Sequence, residues 1–283
     1  MADAQAQRER MREFWNTYAP LYREFLAKTG YHSDDAAMEQ WLIAHLNIGQ
    51  GSQVMDLACG NGNPSLLIAS LVGPTGTVLG LDLSPVMIEA ARARAKELSL
   101  SNVSYALIDD ETRLPVEPEG FDAAICQMGI FFMPNPIQAL IALREAVKPG
   151  GRVGLATWGD DRSNGLLTVP REIIARHTST PFPPRARPAV LTSVEELRDA
   201  YEQAGLRFIE AIHLMIPARE APDAATCWER LIRGSPLEQM LAQEPPEVVE
   251  AIQRDAVESL ERYCSGEEIR VMSEVSCSVA ERP

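Results

Sequence analysis

The chain lacks most of what would tie it to a membrane, a nucleic acid or a metal. No apolar run approaches the length of a membrane-spanning helix. Lysine and arginine number 26 against 40 aspartates and glutamates, a formal charge of −14. Binding a phosphate backbone needs a basic surface, and no cluster of Lys and Arg stands out, so no nucleic-acid partner is expected. An anionic membrane surface is disfavoured for the same reason. The five cysteines (Cys59, Cys126, Cys227, Cys264, Cys277) show no metal-like pairing and read as small buried side chains in a reducing compartment. No two of the four histidines have metal-ligand spacing, so no catalytic metal is expected. Residues 1–12 are polar, without the apolar core of a secretory signal. A cytoplasmic protein without membrane insertion is the expectation, and its oligomeric state is open.

What is present is a chain of 283 residues, long enough for a full α/β core, as one domain with insertions rather than two domains. Residues 1–46 read as a helical cap. Phe14, Trp15, Tyr18, Leu21, Tyr22 and Phe25 recur at three- and four-residue spacings, one face of a helix. Residues 47–159 alternate strand and helix patterns, which predicts a mostly parallel sheet with helices on both faces. Residues 160–192 are crowded with prolines (Pro181, Pro183, Pro184, Pro188) around a short helix at 171–177, and read as a lid. Residues 193–283 form the C-terminal half. A capping-box pattern, Ser193 to Glu196, opens a helix. A strand at 207–216, helices at 222–234 and 246–263 and a strand at 270–280 follow.

The most telling stretch is Gln53 to Ser65. An apolar run carries one acid, Asp56. A turn with Gly60 and Gly62 follows, then a helix start with Asn63 as N-cap and Pro64 at the first helical position. Such a strand–turn–helix unit lets backbone N–H groups approach a ligand. The acid in the loop disfavours a nucleotide phosphate and favours a ligand with an ammonium group. A second strand ends at Asp82, about twenty residues after the turn, where a carboxylate suits ribose hydroxyls.

These residues resemble the class I S-adenosylmethionine-dependent methyltransferases. The pattern of an acid followed by three alternate glycines is met here by Asp56, Ala58, Gly60 and Gly62, with Ala58 replacing the first glycine. Asp82 matches the ribose-binding acid. Asp109 and Asp110 both match the acid that contacts the adenine amino group, and either could take the role. Phe121–Ile125 matches the fourth strand, and Lys148–Arg152 the turn before the fifth. Gly129 to Phe132 with Pro134, and the closing Ala280 to Pro283, resemble a small-molecule branch related to the quinone-biosynthesis methyltransferases.

The resemblance implies a Rossmann-like, seven-stranded, mostly parallel sheet with an antiparallel last strand and a helical insertion before it. It implies S-adenosyl-L-methionine as cofactor. The implied donor set is Tyr18, Tyr22, Asp56, Ala58, Gly60, Gly62, Asn63, Asp82, Leu83, Met87, Asp109, Asp110, Gln127 and Met128. Phe131, Phe132 and Trp158 would line the acceptor pocket, and His177 is the best base candidate because it falls in the lid. The implied reaction is methyl transfer to an oxygen or carbon of a small, largely apolar acceptor such as a phenol, quinone precursor or polyketide-like compound. No Asn/Asp-Pro-Pro-aromatic motif follows the fourth strand, which argues against transfer of the DNA-adenine type. Two alternatives stay open: an enzyme that uses the same fold for cyclisation or another non-methyl reaction, and a donor-binding regulatory module.

Overall fold

The computed structural model describes residues 2–29, 35–182, 190–233 and 235–283, with the side chains of residues 2, 20–29, 35 and 36 left aside. Two helices, α1 (Ala2–Thr29) and α2 (Asp35–His45), precede the alternating part of the chain. There β1 (Gln53–Leu57), α3 (Asn63–Val72), β2 (Thr77–Asp82), α4 (Pro85–Glu97), β3 (Val103–Leu107), β4 (Phe121–Gln127), α5 (Pro136–Ala146) and β5 (Val147–Trp158) follow one another. The remainder is α6 (Gly165–Ile174), α7 (Val194–Gln203), β6 (Arg207–Ala221), α8 (Ala224–Ile232), α9 (Pro236–Leu241), α10 (Pro246–Leu260), β7 (Cys264–Ser265) and β8 (Glu268–Glu281).

Seven strands lie in the order β3-β2-β1-β4-β5-β8-β6, and the two-residue β7 pairs with β8 beside that path. β1 pairs in parallel with both β2 and β4, β2 with β3, and β4 with β5. β8 runs the other way. The Arg282 carbonyl accepts from Gly150 N–H, the Arg282 N–H donates to the Gly151 carbonyl, and the Glu274 carbonyl accepts from Gly159 N–H. The mixed sheet with an antiparallel end is thus as expected. The chain leaves β1 towards β2 and β3, then returns to lay β4 on the other side of β1. This reversal opens a crevice at the carboxyl ends of β1 and β4, the usual ligand position in open α/β sheets.

The chain forms two compact units. The first comprises Met1–Thr157, Val190–His213 and Ser276–Pro283, the second Trp158–Ala189 and Leu214–Val275. In the first, Met55 and Leu57 of β1 join a core with Leu140 and Leu143 of α5 and with Leu197 and the fully buried Tyr201 of α7. A smaller cluster gathers Leu66 of α3, Ile88 and Ala91 of α4, and Tyr105 of β3. Strand side chains alternate between faces, so Asp56 points away from the side that takes Met55 and Leu57.

The second unit has its own core, built from Val169 and Ile173 of α6, Cys227 and Trp228 of α8, Ile252 and Ala256 of α10, and Val271 of β8. Here the expectation of a short helix at 171–177 is corrected. α6 begins at Gly165 and ends at Ile174, with Pro170 inside it. The residue before it, Asn164, is buried and accepts a hydrogen bond from Ser273 Oγ (3.0 Å), which fixes the start of the helix. Pro183, Pro184 and Pro188 lie outside the described residues. Helix α9 was not foreseen; Ser235 caps it by accepting from Leu237 N–H.

Candidate active site

Asp56 is the next-to-last residue of β1 and is completely buried. Its Oδ2 accepts a hydrogen bond from Ser65 Oγ on α3, while its Oδ1 has no hydrogen-bond partner. Burial, reinforced by the charges of Asp82 and Glu39 and opposed by the Ser65 bond, pushes the Asp56 carboxyl up to about 7.

The turn that follows places Ala58, Gly60 and Gly62 in left-handed conformations, with φ of 60°, 53° and 87°. The two glycines serve different ends. A Cβ on Gly62 would come 2.6 Å from the Tyr105 hydroxyl oxygen and 3.2 Å from the Ala91 Cβ, so packing alone requires glycine there. A Cβ on Gly60 would meet nothing within 4 Å, which leaves open space against the backbone. Ala58 carries its methyl at a positive φ, and that methyl occupies the place a Cβ on Gly129 would take, 2.4 Å away. The expectation that Asn63 caps α3 is corrected. Gly62 is the cap residue, and Asn63 Oδ1 instead accepts from the Arg94 guanidinium on α4. Arg94 also donates to the Asn61 carbonyl (3.0 Å), so it braces the turn from outside.

Asp82 ends β2 and is 7% exposed. Its Oδ2 accepts from Gly60 N–H (2.9 Å) and its Oδ1 from Ser84 N–H (2.8 Å), so it ties the glycine turn to the start of α4. Burial raises its pKa, and the backbone bonds from Ser84 and Gly60 oppose that rise. Ser84 caps α4 by accepting from Met87 N–H, and Met87 itself is buried.

Helix α1 crosses these strand ends. Arg12 donates to the Leu83 carbonyl (3.0 Å) and to Asp109 (2.7 Å). Arg8 binds Asp110 (2.8 Å) and the buried Glu111 (2.7 Å). Ser84 Oγ donates to Asn16 Oδ1 (2.7 Å). Thr112 also donates to Asp110 through N–H and Oγ. Asp109 and Asp110 therefore both already hold arginines. Sequence reading missed these arginines: their four-residue spacing is visible, but the acids they meet lie about a hundred residues on.

The aromatic expectations divide. Phe131 is buried beside Phe132, with ring centroids 4.6 Å apart, and Phe132 takes the edge of Trp15 on α1 at 5.6 Å. Tyr18 stacks on Phe14 at 5.6 Å. The Tyr22 side chain lies outside the described residues. Met128, with φ of 56°, donates its N–H to the Ala156 carbonyl (2.8 Å). Trp158 and His177 belong to the second unit. There His177 Nε2 lies 2.8 Å from Asp255 Oδ2, and Arg176 binds the other oxygen of Asp255 at 2.8 Å.

Gln127, the last residue of β4, donates through Nε2 to Glu39 Oε1 on α2 (3.2 Å). Glu39 is 1% exposed and was not foreseen. Its only sequence signal is a carboxylate between apolar Met38 and Leu42.

Residues 48–180 match the methyltransferase domain family. A demethylmenaquinone methyltransferase of Lactococcus lactis is 30% identical over 145 residues, which cover 51% of this chain and 57% of that protein. The chain spans little more than half the length of the curated relatives it matches. Among solved structures, the [4+2]-cyclase SpnF superposes with a TM-score of 0.55 at 20% identity, over 87% of this chain and 81% of that one. The geranyl diphosphate C-methyltransferase of Streptomyces coelicolor gives 0.53 at 16% identity, over 88% and 79%. Those two likenesses concern the fold. S-adenosylmethionine, the cofactor of this class, fits the site on two observations: a buried acid oxygen lacks a partner, and the backbone at Gly60 faces open space. Residues 48–180 thus match a methyltransferase domain, and the strand order and the acid-bearing glycine turn are similar to those of the class I S-adenosylmethionine-dependent methyltransferases, with quinone-biosynthesis enzymes among the similar proteins.

Proposed function

We propose that the protein transfers a methyl group from S-adenosylmethionine to an oxygen or carbon of a small, largely apolar acceptor. The observation that carries this reading is the unpartnered Oδ1 of Asp56, buried at the strand crevice beside the open backbone of Gly60. A buried acceptor left unpaired is costly, and an N–H donor from a ligand relieves it. The relative named for demethylmenaquinone supports a quinone-like acceptor class.

The bound donor supplies a sulfonium that makes its methyl electrophilic, so the protein's task is alignment and exclusion of water. Asp56 would face the ammonium group. Asp82 spends one lone pair per oxygen on backbone N–H groups; the remaining ones would accept the ribose hydroxyls. Asp109 or Asp110 would meet the adenine amino group, which requires sharing a carboxylate with Arg12 or Arg8. Ala58, Gly62, Asn63, Leu83, Met87, Gln127 and Met128 would shape the donor's surroundings, and Tyr18 and Tyr22 are proposed for the donor as well. Phe131, Phe132 and Trp158 are proposed for the acceptor side, and His177 for proton removal. With Nε2 held by Asp255, the proton would go to Nδ1.

A screen of metabolite extracts with isotopically labelled donor tests the reading. Label should appear in an apolar, phenol- or quinone-like product, with stoichiometric S-adenosylhomocysteine. Conversion of an acceptor without that by-product would refute methyl transfer and turn the reading to cyclisation.

A further inference from the structure

Helix α2 lies on the face of the sheet to which Asp56 points. A Cβ on Gly154 of β5 would come 3.0 Å from Leu46 and 3.2 Å from Leu42, both on or just after α2. Gly154 pairs with Ile125 of β4, and Ile125 pairs with Asp56 of β1. These three positions share one face, and Gln127, two residues beyond Ile125, shares it as well. Glu39 sits one helical turn before Leu42 and reaches Gln127 from above. Its charge also raises the Asp56 carboxyl, as does that of Asp82.

The groups facing Asp56 are Ser65 from α3, Asp82 from β2, Glu39 from α2, Cys59 and Cys126 from the strand ends, and Tyr105 from β3. None of those named is basic. Among these side chains and Gln127, the acceptors Asp56 Oδ1 and Gln127 Oε1 and the Tyr105 hydroxyl are buried without a hydrogen-bond partner. Acidic side chains around buried, unsatisfied acceptors call for a ligand cation that carries N–H donors. Among the described residues no cluster of His, Cys, Asp and Glu could hold a metal ion. A sulfonium is cationic but has no N–H. An ammonium has three, and no acceptor of its own.

We propose that Glu39, together with Asp56 and Gln127, holds the ammonium group of the donor's methionine portion. The inference rests on the proposed donor site and adds to it a carboxylate from outside the glycine-turn pattern. The donor and S-adenosylhomocysteine share this ammonium; methylthioadenosine lacks it. Glu39 therefore binds both members of the donor–product pair and does not tell them apart.

Calorimetry with S-adenosylmethionine, S-adenosylhomocysteine and methylthioadenosine tests this on the wild type and Glu39→Gln. The variant should bind the first two about tenfold or more weakly, the scale of a hydrogen bond to a charged group. Its affinity for methylthioadenosine should stay within about twofold, which also reports an intact fold. Unchanged affinity for S-adenosylhomocysteine would overturn the proposal, and so would a loss confined to S-adenosylmethionine, which would place Glu39 at the sulfonium. If the variant binds no ligand at all, the wild type decides. It should prefer S-adenosylhomocysteine over the deaminated analogue by about tenfold or more, and equal affinities would overturn the proposal. A wild type that binds neither donor nor product would instead overturn the donor site itself.

Discussion

Asp56 makes stability and donor binding depend on pH in opposite senses. In the ligand-free protein its carboxyl is raised from 3.8 to about 7, chiefly by burial. The folded state thus holds this proton more tightly than the unfolded chain. Unfolding between pH 4 and 7 releases it, so the group's contribution to stability is intact below about pH 4 and is lost as pH rises to about 7. Each unit of difference is worth about 1.4 kcal/mol, so some three units set a ceiling of about 4 kcal/mol. Asp56→Asn keeps the shape and removes the titration. Denaturant unfolding of wild type and variant from pH 4 to 8 should show the difference moving towards the variant by a few kcal/mol, then levelling. A ligand ammonium beside Oδ1 would favour the ionised acid. Donor affinity should therefore rise from about pH 5 to 7, with a proton released on binding below about pH 7. That release is measurable by calorimetry in buffers of different ionisation enthalpy. Parallel stability curves over the whole range would refute the buried, raised carboxyl.

Asp82→Ala should weaken donor binding by roughly 1.5–3 kcal/mol, as for a lost hydrogen bond to a charged group; unchanged affinity in a folded variant would remove the ribose assignment. Gly60→Val should abolish donor binding at a modest cost in melting temperature, from a β-branched side chain at positive φ, whereas Gly62→Val should lower the melting temperature further because it also collides with Tyr105. Gly129→Ala should destabilise alone and be rescued by Ala58→Gly, since the two methyls would compete for one place; additive effects in a double-mutant cycle would contradict that contact. His177→Gln should slow turnover on a neutral hydroxyl acceptor by roughly 10²–10⁴ and leave donor affinity alone; near-normal turnover would dismiss it as the base.

The parts legible in the sequence are those with local signals. The strand–turn–helix unit around Asp56 is read from turn residues and one acid, and α7 from the cap at Ser193. The Asn63 cap failed because Gly62, already at positive φ, ends the turn itself. The start of α6 failed because a buried Asn164–Ser273 bond, 109 residues apart, sets it. Glu39 and the Arg8 and Arg12 ion pairs were invisible for the same physical reason. Their partners come from distant strands, and the flanking residues, apolar Met38 and Leu42 around Glu39 or the four-residue spacing of the arginines, do not say which groups they meet.

The tethers of α1 also bear on the order in which the molecule assembles. Its described links reach forward by 71 residues to Leu83, 103 to Glu111 and 125 to Phe132. None of these anchors exists until β1, β2 and β3 have been made and paired. Closing such long loops costs entropy before any contact rewards it. Helix α1 is therefore among the last elements to dock, and its links include the ion pairs of Arg8 with Asp110 and Glu111 and of Arg12 with Asp109. High ionic strength, which screens exposed pairs such as Arg12–Asp109, should slow this final step.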